Sequence, residues 1–230
     1  MDSRTAAVAA GTLYVVATPI GNLRDITLRA LDVLKAVDLV AAEDTRKTAR
    51  LLGHFGLSVP LISYHEHNET ARTPGLVNRL QQGASIALVT NAGTPGVSDP
   101  GYRLVTAAAA AGLRVVPVPG VTAAAAALSA SGLATDAFVF VGFLSKKAGR
   151  RLQQLQALAS ETRTVILYES PQRMLALIEE LIAAFGDRRA VIAREMTKLH
   201  EEFIRGRLSE ILYEVRSRSE VRGECTLLAA

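Results

Sequence analysis

Ser85–Gly101, SIALVTNAGTPGVSDPG, decides the fold: a short apolar run of strand length stops at Thr90, and a loop crowded with glycine and proline follows. The same succession occurs twice more. Thr12–Ala17 runs into Thr18-Pro19-Ile20-Gly21-Asn22-Leu23, and Val115–Val118 runs into Pro119-Gly120-Val121-Thr122-Ala123. Between these runs apolar residues recur at helical spacing, first in Leu28, Leu31, Val33, Leu34 and Val37. Strands that alternate with helices in this way build a mostly parallel sheet covered on both faces, and such strands are apolar throughout because both faces are buried.

The remaining elements follow the same logic. Leu39–Ala42 and Leu61–Tyr64 read as strands, and Asp44 as the N-cap of a helix reaching Leu52. Thr73-Pro74 and Asp99-Pro100 each read as a helix opening with proline in the first turn, the second helix running to Ala111. A helix from Thr122 to Ser131 closes the first half, and the pattern restarts around Leu133–Asp136. Ala137–Gly142 and Thr164–Tyr168 are strands around a basic helix from Arg150 to Leu158, and Ser170-Pro171 opens a helix to Phe185. Ala190–Arg194, Glu202–Gly206 and Glu224–Leu228 then follow with one short helix, Leu208–Val215, among them, so a mixed sheet is expected. The sequence predicts an α/β protein of two domains: residues 1–135 with a mostly parallel sheet and 136–230 with a mixed one.

Composition narrows the partners. The 230 residues carry a net charge of +4, a mild bias toward an anionic partner such as nucleic acid. The basic clusters are short: Lys146, Lys147, Arg150 and Arg151; Arg188 and Arg189; Arg216, Arg218 and Arg222. Each alone reads as solvated surface. One cysteine, Cys225, excludes an internal disulfide and reads as a small core residue. Val115–Thr135 is uncharged and long enough to span a bilayer, but Pro117, Pro119 and Gly120 interrupt it, so no membrane segment is expected. The N-terminus has no signal-peptide pattern, and the expected location is cytoplasmic.

Loops at the carboxyl ends of parallel strands line the ligand crevice of an open sheet, and three of one kind here point to a ligand site. They contain neither G-x-G-x-x-G after the first strand nor G-x-x-x-x-G-K-[ST], which weakens dinucleotide and P-loop readings. Taken with YVVATPIGNLRD (Tyr14–Asp25), Glu43-Asp44-Thr45-Arg46, Tyr64-His65-Glu66-His67-Asn68, Tyr168-Glu169-Ser170-Pro171-Gln172-Arg173, Ala193-Arg194-Glu195-Met196-Thr197-Lys198 and Gly223-Glu224, they resemble the tetrapyrrole methylase family. The likeness runs from about Gly11 to Leu228 and is nearest to the branch that methylates a decoding-site cytidine ribose of 16S ribosomal RNA.

The resemblance implies two α/β domains with S-adenosyl-L-methionine in the cleft between them, a homodimer, and 16S ribosomal RNA within the small ribosomal subunit as substrate. Carried over residue by residue, it puts Pro19, Asn91, Gly93, Thr94, Pro95, Val97, Thr122, Ala123, Tyr168 and Met196 at the cofactor. Candidates for a general base are Glu43, Asp44, His65 and Glu195, and the residues alone do not choose among them. Asp44 reads equally as a helix cap, and His65 and His67 as a polar wall or a surface turn, since no third metal ligand stands near them. The family usually carries Asp at the position of Asn91, and its RNA branch usually continues past Ala230 with a short tail. Alternative readings are methylation of a corrin or porphyrin precursor and a non-catalytic RNA-binding module.

Overall fold

The computed structural model describes residues 8–220 and 222–230. Two compact units divide between Thr122 and Ala123, ahead of the boundary expected near residue 135. The helix that moves across is α5 (Ala123–Ser131), whose apolar residues pack on the second sheet. Polar contacts hold it there as well: Ala124 N donates to the Tyr168 hydroxyl, and the Arg205 guanidinium caps the Ala130 and Ser131 carbonyls at the helix end.

The first unit contains β1 (Thr12–Val16), β2 (Leu39–Ala42), β3 (Leu61–Ser63), β4 (Ile86–Val89) and β5 (Arg114–Val118). They form one sheet in the order β3-β2-β4-β1-β5, with every neighbouring pair parallel. The helices are α1 (Leu28–Ala36), α2 (Thr45–His54), α3 (Glu69–Gln81) and α4 (Tyr102–Ala110). Alternation of side chains along each strand divides the core in two. Tyr14, Val16, Val40, Ala42, Ala87 and Val89 pack with α1 and α2, whereas Leu13, Leu39, Ala41, Ile86 and Leu88 pack with α3 and α4.

Two helix openings differ from expectation. α3 begins at Glu69, so Pro74 lies inside it rather than in its first turn. The Thr73 hydroxyl donates to Glu69 O at 2.7 Å, a local side-chain bond beside the proline that cannot donate. α4 begins at Tyr102 with Gly101 as its N-cap, so Asp99 stands outside the helix and does not cap it.

The second unit adds β6 (Phe138–Phe143), α6 (Ala148–Leu158), β7 (Thr164–Glu169), α7 (Pro171–Phe185), β8 (Arg189–Arg194), β9 (Glu202–Arg207), α8 (Leu208–Ser217) and β10 (Cys225–Ala229). Its sheet order is β6-β7-β10-β8-β9; β6 and β7 are parallel and the other pairs antiparallel, so the sheet is mixed. α6, α7 and α8 supply Leu155, Leu177, Leu181, Ile211 and Val215 to one face of it. Cys225 belongs to this core, where burial pushes its thiol up to about 11. No described helix is long and apolar enough to cross a membrane.

Candidate active site

Because the first sheet is parallel throughout, all five strands deliver their carboxyl ends to one edge. The chain leaves adjacent strands β1 and β4 in opposite directions, toward β2 and toward β5, which is the crossover geometry that opens a ligand crevice. The loops that follow are knit together by the main chain. Thr18 and Gly93 exchange both backbone hydrogen bonds at 2.9 Å, Ala17 N donates to Val118 O at 3.2 Å, and the Thr94 hydroxyl donates to Val121 O at 3.2 Å.

This staple gives Gly93 a part in loop shape: its N–H donates to Thr18 O and its C=O accepts from Thr18 N. Glycine is required there by conformation (φ 86°), since an added Cβ would meet Ile20 and Val121 only at ordinary contact distance. Gly120 is required by crowding instead: a Cβ there would lie 2.9 Å from that of Ala17.

Strand register explains how Glu43 reaches this edge. Ala42 pairs with Val89, so the next residues on β2 and β4, Glu43 and Thr90, emerge side by side. Glu43 Oε2 accepts from the Thr90 hydroxyl at 2.6 Å and from Asn91 N at 3.0 Å, and no described cation pairs with it. Asn91 thus contributes its main chain; its side-chain Oδ1 is buried and finds no hydrogen-bond partner among the described residues. Pro19, Ile20 and Pro95 are buried beside these groups in the same loops, Thr94 and Thr122 are half-buried, and Val97 is exposed.

Asp99 belongs to this group although the sequence read it only as a cap. It is half-buried near Glu43 and Thr90, and burial first, then the charge of Glu43, push its carboxyl up to about 6. The available signal was its place in the loop after β4; its nearness to Glu43 depends on two strands far apart in sequence.

The other proposed bases are engaged differently. Asp44 caps α2 by accepting from Arg46 N and Lys47 N, and the Arg46 side chain, followed by that backbone bond, holds its carboxyl below the usual range. His65 follows β3 in a turn rather than on a strand; its Nε2 lies 3.1 Å from Asn68 Nδ2, while its buried Nδ1 has no partner among the described residues. In the second unit, Glu195 Oε1 accepts from Lys198 Nζ at 2.7 Å and Glu224 N at 2.9 Å, and Lys198 lowers its pKa. The segment is strained: Glu195 and Thr197 have φ of 51° and 68°, unusual for side chains of this size. Met196 between them is buried. Tyr168, at the end of β7, touches Phe140 and Phe143 edge-on and accepts from Ala124 N, next to Ala123 at the start of α5.

The first basic cluster is split by burial. Lys146, Lys147 and Arg150 are exposed, whereas Arg151 is buried and bonded to Glu169 and Glu180. Arg188 caps the Ala159, Glu161 and Phe185 carbonyls, and Arg216, Arg218 and Arg222 pair with glutamates.

Residues 12–212 match the model of the tetrapyrrole (corrin/porphyrin) methylases. Among curated proteins, the chain is 57% identical over 199 residues to the ribosomal RNA small subunit methyltransferase I of Synechocystis, covering 86% of this chain and 71% of that one. The protein of the same name from Pseudomonas aeruginosa is 52% identical over 225 residues, covering 97% and 80%. Among solved structures, uroporphyrin-III C-methyltransferase of Thermus thermophilus, complexed with S-adenyl homocysteine, superposes with a TM-score of 0.66 at 21% identity, covering 94% of this chain and 96% of that one. A cobalt precorrin-4 methyltransferase superposes with a TM-score of 0.68 at 18% identity, covering 100% and 98%; at these identities the likeness is one of fold. On the length of the family match and the identity of these relatives, the chain is a member of the tetrapyrrole methylase family.

Proposed function

We propose that this protein is an S-adenosylmethionine-dependent ribosomal RNA methyltransferase that modifies a cytidine 2′-hydroxyl of 16S RNA within the small subunit, working as a homodimer. The observation that carries the reading is the near-full-length identity to relatives bearing that name, well above the identity to any of the tetrapyrrole enzymes compared. The strand-end loops suit such a cofactor. Two carboxylates without a described cationic partner, Glu43 and Asp99, complement a positive sulfonium, and the unpartnered Asn91 Oδ1 is an acceptor awaiting a donor. Proposed cofactor contacts are Pro19, Asn91, Thr94, Pro95, Val97 and Thr122 in the first unit and Ala123, Tyr168 and Met196 in the second, with Gly93 shaping the loop.

When bound, the cofactor supplies an electrophilic methyl group whose thioether leaves without acid assistance. The protein's part is to align the ribose oxygen with that methyl group, where proximity contributes about 7–11 kcal/mol, and to accept a proton, which adds roughly 10²- to 10⁴-fold. Glu43 is the candidate base among those named from sequence. Asp44 and Glu195 have their carboxylates tied to a helix start and to Lys198.

The test offers unmodified small subunits and free tetrapyrroles together with methyl-labelled cofactor. Label should enter RNA at one cytidine, and the adjoining linkage should then resist alkaline cleavage. Label entering only the tetrapyrrole would replace this reading with its rival.

A further inference from the structure

On a regular strand, residues three apart face opposite sides of the sheet. Phe140 and Phe143 of β6 are three apart, yet both rings meet the Tyr168 ring edge-on, with centroids 5.1 and 5.5 Å away. The register explains this: Phe140 pairs with Ile166 and Gly142 with the next residue, Leu167, so Val141 is an extra residue on β6. Gly142, at φ 71°, accommodates the bulge. Such bulges re-aim side chains, often beside functional sites. This one brings Phe143 round to Tyr168 at the end of the strand, where Phe143 is still 55% exposed. Burial in the core does not account for its placement.

From Phe143 the chain turns into a cluster of cations. β6, β7 and β8 run the same way, so Phe143, Tyr168 and Arg194 lie at one edge of the second sheet. The link onward to α6 is fixed: Leu144 is buried, Ser145 N donates to Gln154 Oε1 at 2.8 Å, and Lys147 N donates to Ser145 Oγ at 3.2 Å. Arg151 then pins the first turn of α6 by bonding Glu169 and Glu180. Lys146, Lys147 and Arg150 stand exposed on this base, with no carboxylate partner among the described residues. Glutamates at the same edge are already held, Glu169 by Arg151 and Arg173, Glu195 and Glu224 by Lys198, and Glu202 by Arg194 and Arg218. The three exposed cations are left uncompensated.

We propose that Phe143 is a stacking platform for an unpaired base of the RNA substrate, and that Lys146, Lys147 and Arg150 hold the phosphates flanking that base. This rests on the RNA reading above and assigns the substrate strand to this edge of the second unit. An exposed ring beside unpaired cations is the combination that single-stranded RNA calls for, since each base offers a π-face and each phosphate a negative charge. Charge disfavours a second copy of the chain as the occupant. In a two-fold contact centred on the patch, the same three cations would face one another.

The test measures binding of the full chain to unmodified small subunits across a range of salt concentrations. Phe143→Ala should weaken binding by about 5- to 150-fold, the loss of one stacked base. Phe143→Leu, which keeps apolar bulk without a ring face, should also lose affinity, whereas Phe143→Trp should retain it. Replacing Lys146, Lys147 and Arg150 together with alanine should reduce the salt slope by about 2, since each single-strand phosphate contact contributes about 0.7. Cofactor affinity by calorimetry should be unchanged in all of these variants. Wild-type labelling of RNA combined with unaltered binding in Phe143→Ala and Phe143→Leu overturns the platform and leaves the RNA reading intact. An unaltered slope in the triple variant overturns the phosphate role. If Phe143→Ala instead weakens the cofactor alone, or splits a dimer in sedimentation, the ring belongs to the cofactor or to a contact between copies, and the proposal fails. No label on RNA from the wild type sinks the RNA reading and this proposal with it.

Discussion

The second unit pairs its strand-end carboxylates with cations, whereas the first, which pairs Glu69 with Arg103 and Asp44 with Arg46, leaves Glu43 and Asp99 without a described one. In the second, Glu169 is held by Arg151 and Arg173, Glu202 by Arg194 and Arg218, and Glu195 by Lys198. In the first, Glu43 accepts from the Thr90 hydroxyl, and the charge of Glu43 acts on half-buried Asp99, with no described cation paired to either. A buried charge without its partner is costly, so the paired carboxylates are bound up with the fold. Asp99 among the unpaired ones is left with a raised basicity of the kind chemistry uses. Both sheets have five strands, yet only the first, parallel throughout, gathers all its strand ends and their polar groups at one edge. In the second, antiparallel neighbours divide the strand ends between two edges, and the ion pairs serve to lock helix to sheet, as Arg151 of α6 does with Glu169 of β7.

The largest effect expected from this contrast is on stability. Arg151→Met keeps the apolar stem but strips a partner from Glu169, whose side chain is 1% exposed, and should cost about 3–5 kcal/mol in denaturant unfolding. If Asp99→Asn costs as much at neutral pH, the division between structural and chemical carboxylates is wrong.

The pH dependence of stability sharpens the comparison because the two kinds of carboxylate have opposite signs. Glu202 is lowered from 4.5 to about 2, chiefly by Arg218, so its contribution is present above 4.5 and disappears as pH falls through 2. Asp99 is raised from 3.8 to about 6, so the folded state is favoured most below 3.8 and loses that contribution as pH rises through 6. Thermal unfolding should therefore show Glu202→Gln less stable than wild type at neutral pH, with the gap closing in acid. Asp99→Asn should gain on wild type between about pH 4 and 7. Parallel curves for the two variants would erase the distinction.

The smallest effect is expected at Asn91. The Asn91 main chain bonds Glu43, and Thr18 and Thr94 make the other staples, so no described staple of the loop depends on the Asn91 side chain. Asn91→Asp should keep the loop and change the plateau methylation rate by less than about tenfold, or 1.4 kcal/mol. A hundredfold gain would mean that an aspartate at this position is itself the missing base.

Much of this molecule follows from local patterns in its chain. Strand and helix types are set by apolar periodicity, and the opening of α7 at Pro171 and the cap of α2 at Asp44 by chemistry within a few residues. The strand-end loops and the family likeness are equally visible, because they are contiguous stretches. What only the tertiary structure decided are the relations between distant segments: that Glu43 emerges beside Thr90, that Asp99 joins them, that Arg151 turns inward while Arg150 does not, and that α5 belongs to the second sheet. The physical reason is that burial and charge pairing depend on what lies across a sheet or under a helix. Strand order and register set those neighbours, and no local window of residues contains them.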